Sequence, residues 1–129
     1  MEDRYRDTPY GGYFKSKAEM QLARMLERNR VRYLYEHPIA VIDNGKTKVW
    51  YPDYTLPEYG MIIEYFGVHG DEYYCRQANH KREVYAANGI EGLFLTSDCF
   101  KGDWPGRIMG QINTILERRL EDFRKVYRS

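Results

Sequence analysis

The sequence predicts an α/β protein built on a mixed β-sheet, and three observations carry this prediction. The chain has 129 residues, which is the length of one domain. Segments with apolar residues at helical spacing alternate with segments rich in β-branched and aromatic residues. Their order is helix, three consecutive strands, helix, strand and final helix. This order favours an α/β sandwich, in which an antiparallel meander is followed by a parallel crossover strand.

The composition fits a soluble globular protein without a membrane segment. Hydrophobic residues make up 43% and charged residues 30%, and the net charge of +1 favours no class of partner. No apolar run approaches the ~20 residues of a membrane span, and the polar, charged N-terminus is unlike a signal peptide. Cys75 and Cys99 lack paired spacing, so we expect free thiols in a reducing cytoplasm.

Residues 1–13 are predicted to form a flexible arm, and residues 14–129 a single domain. Pro9 and the Gly11-Gly12 pair break regular structure in the arm. This end of the chain is basic, with Arg4, Arg6, Lys15 and Lys17. A solvated tail is the more common role of such a segment, and contact with phosphate is the alternative.

The first helix is predicted from Ser16 to Asn29. Its apolar stripe at helical spacing consists of Leu22, Met25 and Leu26. Ser16 and Glu19 have the spacing of a capping box, in which Ser16 caps the helix and Glu19 folds back on it. This leaves a structural and a catalytic role open for Glu19.

Three strands are predicted next. The first spans Val31–Ile42, with a bulge or break at His37-Pro38 because proline cannot donate to a β-ladder. The residues Asp43–Lys46 form a hairpin turn signal, Asp-Asn-Gly-Lys. Thr47–Leu56 is the second strand and Gly60–Phe66 the third.

The remaining elements alternate helix, strand and helix. A loop at residues 69–71 precedes a helix that begins near Asp71 and ends near Asn88, where Asn-Gly is a stop signal. Leu93–Leu95 is a short buried strand, and Asp103 caps a final helix that ends near Tyr127. The predicted buried stripe of that helix is Ile108, Met109, Ile112, Ile115, Leu116, Leu120 and Phe123. Its alternating outer charges are typical of a solvated face, with nucleic-acid contact as the alternative.

Two acidic residues, Asp53 and Glu64, lie on either side of the turn between the second and third strands. Pairing across that turn places them roughly opposite each other, where Cβ atoms are ~5 Å apart. Two carboxylates that close repel, and a divalent cation removes the penalty. Magnesium binds through one or two carboxylates and keeps several waters. Such an ion polarises a phosphodiester and lowers the pKa of a bound water.

A nearby cation would stabilise developing charge or orient the attacking water. Phe66, two residues after Glu64, cannot do this, but Lys81 on the following helix can. Tyr73, Gln77, Lys81 and Tyr85 recur every four residues along one helix face, which a packed helix can turn towards the carboxylates. The alternative is that Lys81 is an ordinary surface residue.

Other candidates carry weaker signals. Turn or cap roles explain Asp43, Asp98 and Asp103 better than metal ligation, and His37 and His69 lack metal-ligand spacing. The sequence contains no evident serine or cysteine triad, phosphate-binding glycine loop or zinc cluster.

The residues from Ser16 to Asp98 resemble the PD-(D/E)XK nuclease superfamily, which has a restriction-endonuclease-like core of αβββαβ order. The resemblance lies in the Tyr-Pro-Asp-Tyr motif at 51–54, the Ile-Ile-Glu-Tyr-Phe-Gly motif at 62–67, and Tyr73 followed by Lys81. The family's lysine normally stands two residues after the second acid, where this chain has Phe66. Lys81 fits a variant in which the lysine lies on the neighbouring helix, as in nuclease modules of phage and helicase-linked proteins.

The resemblance implies a magnesium- or manganese-dependent endonuclease acting on DNA. Asp53, Glu64 and the backbone carbonyl of Tyr65 would hold the metal, with Glu19 assisting directly or through water. Lys81 would orient the nucleophile or stabilise charge, and Tyr73 and Gln77 would orient Lys81 or touch phosphate.

A second hypothesis is a catalytically inactive DNA-binding or assembly module of the same fold. A third is an unrelated α/β domain whose two acids point to opposite faces. An active protein is expected in a bacterial or phage-infected cytoplasm, as a homodimer or as a subunit of a larger DNA-processing complex.

Overall fold

The computed structural model describes residues 13–67 and 72–128 of the chain. The predicted arm up to residue 12 and the predicted loop that contains His69 lie outside the described residues. The helices are α1 (Lys17–Arg28), α2 (Glu72–Ala87) and α3 (Trp104–Arg128), with a 3-10 turn at Ser97–Phe100. The strands are β1 (Leu34–Tyr35), β2 (Ile39–Asp43), β3 (Lys46–Trp50), β4 (Tyr54–Leu56), β5 (Met61–Gly67) and β6 (Glu91–Thr96).

The chain forms two compact units, one that runs to Ser97 and one that begins at Asp98. The first unit contains the two shorter helices and all the strands of the described residues, and every candidate site residue belongs to it. The second unit consists of α3 and the short segment that precedes it.

A four-stranded sheet in the order β1-β4-β5-β6 forms the centre of the first unit. Strand β4 pairs antiparallel with both β1 and β5, whereas β6 pairs parallel with β5. Helix α2 provides the crossover connection that a parallel pair requires. The prediction of an α/β protein with a mixed sheet is therefore confirmed.

The predicted meander of three long strands is wrong. Strands β2 and β3 pair only with each other, as a separate two-stranded sheet, among the described residues. The predicted strand 31–42 is broken where Glu36 takes a left-handed backbone conformation with φ of 53°, just before the expected break at His37-Pro38. The predicted strand 47–56 is broken around Pro52, because proline has no N–H to donate to a ladder.

The predicted hairpin turn between β2 and β3 is confirmed. Asp43 pairs with Lys46 across it, and the two residues between them, Asn44 and Gly45, have φ of 53° and 76°. Two positive φ values in a two-residue loop match the twist of a β-hairpin, and asparagine and glycine adopt them most readily.

The core of the first unit joins the separate hairpin to the main sheet and α2. Its central cluster of buried residues contains Val41 from β2, Ile62 from β5, and Val84 and Tyr85 from α2. Trp50 packs edge-on against Tyr85, with ring centroids 5.3 Å apart. The β2–β3 hairpin, α2 and the main sheet therefore share one core.

The predicted helices are all present, within one or two residues of their expected ends. At the start of α3 the Asp103 side chain accepts a hydrogen bond from the backbone N–H of Gly106 at 3.3 Å, which is the predicted cap. The expected buried stripe of α3 is wrong in its second half: Ile108 and Ile112 are buried, but Leu120 and Phe123 are exposed. An apolar stripe indicates which side of a helix is covered, but not how much of its length.

No helix within residues 13–67 and 72–128 combines the length and apolar character that crossing a membrane demands.

Candidate active site

The hairpin of β4 and β5 brings Asp53 and Glu64 together. Tyr54 pairs with Ile63, Thr55 with Ile62 and Leu56 with Met61. Extending this register by one residue places Asp53 directly opposite Glu64, and opposed residues of an antiparallel pair project from the same face. Both residues are buried, with 7% and 5% of their surface exposed.

Asp53 directly precedes β4. Its side chain provides the hydrogen-bond acceptor for a backbone N–H of β5. Its Oδ2 atom accepts a hydrogen bond from the backbone N–H of Tyr65 at 2.7 Å. The pKa of Asp53 is raised to about 7: burial is the largest cause and the negative charges of Glu19 and Glu64 add to it, while the Tyr65 N–H and Lys15 act in the opposite direction. Buried carboxylates that repel one another are a setting in which a cation is strongly favoured.

Glu64 is held by two side chains from α2. Its Oε2 atom accepts hydrogen bonds from the Tyr85 hydroxyl at 3.0 Å and from the Lys81 ammonium at 3.4 Å. Burial raises the pKa of Tyr85, and the charge of Glu64 adds to the shift, so Tyr85 remains a hydrogen-bond donor at neutral pH. Lys81 and Tyr85 are four residues apart and therefore share one face of the helix.

The Lys81 side chain therefore lies beside the carboxylate pair, where the sequence predicts it. Its ammonium also lies 5.8 Å from the centre of the Phe66 ring. Phe66 stacks in turn on Phe94 of β6, with ring centroids 5.9 Å apart and an interplanar angle of 18°. Phe66 therefore presents a ring face to the Lys81 ammonium.

Glu19 reaches the same region from α1. Ser16 caps this helix by accepting a hydrogen bond from the Glu19 backbone N–H at 3.1 Å, which forms one half of the predicted capping box. The Glu19 carboxylate accepts a hydrogen bond from the Tyr35 hydroxyl, and the Glu19 carbonyl accepts one from Tyr54. The Glu19 carboxylate is therefore hydrogen-bonded to a residue of β1. Its charge raises the pKa of Asp53.

The other predicted site residues have simpler placements. Gln77 is exposed, one helical turn before Lys81, and the Tyr73 side chain lies outside the described part of the structure. Tyr65 directs its N–H towards Asp53.

Sequence reasoning missed two residues at the edge of this cluster. It grouped Lys15 with the basic N-terminal segment, but the Lys15 ammonium lies 3.9 Å from Asp53 Oδ1 and 2.6 Å from Glu36 Oε2. Glu36 had no role in the sequence reading. The position of Lys15 directly before the Ser16 cap ties it to the helix that carries Glu19, but does not indicate its approach to Asp53.

The residues present fit a hard divalent cation. Within the described segments, no three His, Cys, Asp or Glu side chains are arranged as a ready-made metal site. A pair is enough for magnesium, which takes one or two carboxylates and fills its other positions with water and substrate oxygens. Asp53 and Glu64 supply only oxygen donors, and burial raises the pKa of Asp53 in the absence of a cation.

A separate cluster lies between the β2–β3 hairpin and α2. The buried Asp43 carboxylate contacts the Lys48 ammonium at 2.9 Å and the His80 ring at 3.0 Å. Hydrogen bonds from these two groups lower the pKa of Asp43. These contacts, together with two hydrogen bonds between Asn88 and the Ile42 backbone, fasten the hairpin to the helix that carries Lys81.

The remaining acidic candidates of the sequence have structural contacts. Asp98 forms an ion pair with Lys101 at 3.2 Å, and Asp103 caps α3.

Comparison of the chain with protein-family models, curated proteins and solved structures gave no match.

Proposed function

We propose that this protein is a metal-dependent endonuclease that hydrolyses phosphodiester bonds of DNA. One observation carries the proposal: two buried carboxylates, Asp53 and Glu64, face each other on one hairpin, and the Lys81 ammonium lies 3.4 Å from the second of them. Paired acids and an ammonium are the groups that phosphoryl transfer to water requires.

The resemblance to the PD-(D/E)XK superfamily supports this proposal through the order of the elements. That family would supply a restriction-endonuclease-like core, with one acid at the end of each hairpin strand. Here the hairpin of β4 and β5, the crossover through α2 and the parallel strand β6 follow in the same order. The lysine would be the relocated one of the family's variant, Lys81.

Asp53 and Glu64 would hold a magnesium or manganese ion together with the carbonyl of Tyr65, and Glu19 would assist directly or through water. When bound, the ion polarises the phosphodiester and lowers the pKa of its bound water. In the reaction the water oxygen forms a bond to phosphorus, one phosphorus–oxygen ester bond breaks, and the departing oxygen takes up a proton.

The side chains of the protein would position the charged groups of the site before the reaction. The Tyr85 hydroxyl fixes the orientation of Glu64, so that this carboxylate is positioned before substrate arrives. Lys81 places a positive charge beside the carboxylates, where it stabilises the charge that develops on phosphate oxygens or orients the attacking water. Gln77 is one turn away on the exposed surface of α2 and would contact the DNA backbone.

The test is cleavage of a panel of linear, nicked, branched and single-stranded DNA with Mg²⁺ or Mn²⁺. We expect wild-type protein to cut at least one member, and Asp53→Asn or Glu64→Gln to reduce the single-turnover rate by a factor of at least ~10². Lys81→Ala should lose rate in the same assay. Asp98→Asn removes a carboxylate that pairs with Lys101 outside the site, and is the matched control.

Full activity of Asp53→Asn would refute the assignment of the site. Circular dichroism and melting temperatures of the same samples establish that each variant is folded.

A second candidate function is a DNA-binding or assembly module without catalysis. Its support is the stack of Phe66 on Phe94, which fills with aromatic packing the position where the related motif has lysine. Isothermal titration with Mg²⁺ separates the two candidates, because only the endonuclease requires ion binding that depends on both Asp53 and Glu64.

A further inference from the structure

The carboxylate pair has an ammonium group on each side. Lys81 contacts Glu64, and Lys15, from the segment before α1, lies 3.9 Å from Asp53. The Lys15 ammonium also lies 2.6 Å from Glu36 Oε2. Because a lysine side chain is protonated at neutral pH, Lys15 places a positive charge at the edge of the site.

The backbone on both sides of Lys15 is held in place. Phe14 is buried and packs edge-on against Tyr35, with ring centroids 4.8 Å apart. The backbone N–H of Lys15 donates to the Tyr35 hydroxyl at 2.9 Å, and Ser16 caps α1. The starting point of the lysine side chain is thus fixed relative to Glu19, which Tyr35 also contacts.

Glu36 fixes the position of the ammonium group at the end of the Lys15 side chain. Its carboxylate lies 2.6 Å from the Lys15 ammonium, and its backbone N–H donates to the carbonyl of Asp53 at 3.0 Å. Glu36 adopts a φ of 53°, a left-handed conformation that is unfavourable for glutamate. Backbone strain of this kind persists where the surroundings enforce it, and it concentrates at functional sites.

Stability alone does not account for this arrangement. The Lys15 side chain is 59% exposed, and ion pairs in such positions contribute little to folding because water screens them. The ion pair with an exposed lysine therefore does little to offset the unfavourable backbone conformation of Glu36. The exposed ammonium, held by Glu36 at 3.9 Å from Asp53, is accessible to a ligand that arrives from solvent.

We propose that Lys15 binds a non-bridging phosphate oxygen of the DNA backbone at the carboxylate pair, and that Glu36 is the positioning residue that directs it there. The inference rests on the proposed function, because the ligand is the same phosphodiester. Lysine acts on phosphate as a compact point charge. With Lys81 on the Glu64 side and Lys15 on the Asp53 side, the phosphate is held from two directions.

The first experiment compares Lys15→Met with Lys17→Met, which removes an exposed lysine two residues away. The assay is single-turnover cleavage, at saturating Mn²⁺, of the DNA that the wild type cuts. We expect Lys15→Met to lower the rate by about tenfold to a hundredfold, as loss of one transition-state contact does. Lys17→Met should stay within about twofold of the wild type.

A second readout needs no cleavage. The affinity for the same DNA is measured in EDTA over a series of NaCl concentrations. Loss of one phosphate contact reduces the slope of log affinity against log salt by about 0.9, and we expect this for Lys15→Met but not for Lys17→Met.

Two variants test the positioning role of Glu36. Glu36→Gln keeps the size of the side chain and removes the charge, whereas Glu36→Gly also relieves the left-handed strain. We expect both to lower the cleavage rate, and the glycine variant to do so without a lower melting temperature. A purely structural role would make rate and melting temperature fall together, and wild-type rates in both variants would remove Glu36 from the proposal.

The alternative is that Lys15 only compensates the charge of Asp53 when no metal is bound. Titration with Mn²⁺ alone would then show tighter binding to Lys15→Met, with a wild-type rate at saturation and an unchanged salt slope, and this result overturns the proposal. If the wild type cuts no DNA, the proposed function fails, and the salt slope, then measured on a linear duplex, still decides whether Lys15 contacts phosphate.

Discussion

Asp53 links the charge state of the site to the stability of the fold. Burial raises its pKa from 3.8 to about 7, so between these values the folded chain binds a proton that the unfolded chain has released. Stability from this group is therefore present at low pH and is lost as pH rises through the pKa of the folded state. At pH 8 the folded protein contains an ionised, buried Asp53.

We expect the free energy of unfolding of metal-free protein to fall between pH 5 and pH 8, with a contribution from Asp53 on the order of 2–3 kcal/mol. Urea unfolding at the two pH values measures it. Asp53→Asn has no proton to lose and should abolish most of the difference, while Asp98→Asn should leave it unchanged. A pH dependence that survives in Asp53→Asn would contradict the raised pKa.

The two lysines illustrate which residues of the site a sequence can indicate. Lys81 was predictable because it shares a four-residue spacing with Tyr85 on one helix, so a local pattern places both on the face that meets Glu64. Lys15 was not, because its approach to Asp53 depends on how the segment before α1 meets the end of β1. No spacing along the chain encodes that tertiary arrangement.

Among the elements, α2 depends on the β2–β3 hairpin for its position. The Asn88 side chain both accepts from the Ile42 N–H at 2.9 Å and donates to the Ile42 carbonyl at 3.0 Å. It therefore acts as a substitute strand partner for β2. We call these two hydrogen bonds the Asn88 clip. Because Lys81 lies on α2, the Asn88 clip should also influence the position of Lys81 relative to Glu64.

We expect Asn88→Ala to lower the free energy of unfolding by about 1–3 kcal/mol, since the polar groups of Ile42 lose their partner. The single-turnover cleavage rate should fall less than for Lys81→Ala, because the lysine remains but is held less firmly. Asn79→Ala, which changes an exposed amide on the same helix, is the control. Unchanged unfolding of Asn88→Ala would show that the clip does not hold the helix.

The accuracy of the strand predictions followed the range of the interactions involved. The hairpin of β4 and β5 and the turn at Asn44-Gly45 were predictable because short segments determine them. The separate β2–β3 sheet was not, because alternation of residue types identifies extended chain without naming its partner. Because the chain is interrupted at Glu36 and at Pro52, the two halves of each predicted strand lie in different sheets.

At the scale of the whole molecule, an ion bound by Asp53 and Glu64 should stabilise the fold. The two acids face each other only when β4 and β5 pair, so the proposed ion would bind the folded chain and not the unfolded chain. Mass action then adds about 2.7 kcal/mol at an ion concentration a hundred times the dissociation constant. The same carboxylates that destabilise the metal-free protein at high pH would stabilise the loaded one.

We expect the melting temperature to rise with added Mg²⁺ or Mn²⁺ in wild-type protein and not in the double variant Asp53→Asn/Glu64→Gln. Differential scanning fluorimetry over a range of ion concentrations measures the shift. Asp43→Asn, which alters the separate cluster with Lys48 and His80, should keep the wild-type response. An equal shift in wild type and double variant would place the ion elsewhere.

The short reach of the β4–β5 hairpin has a consequence for the order in which the site assembles during folding. Closing a chain loop costs more entropy as the loop lengthens, by about 1 kcal/mol for a threefold increase. Asp53 and Glu64 meet across a tight turn, whereas Glu19 and Lys81 must return from more distant helices. During folding, Asp53 and Glu64 should therefore come together and repel each other before α1 and α2 have docked on the sheet.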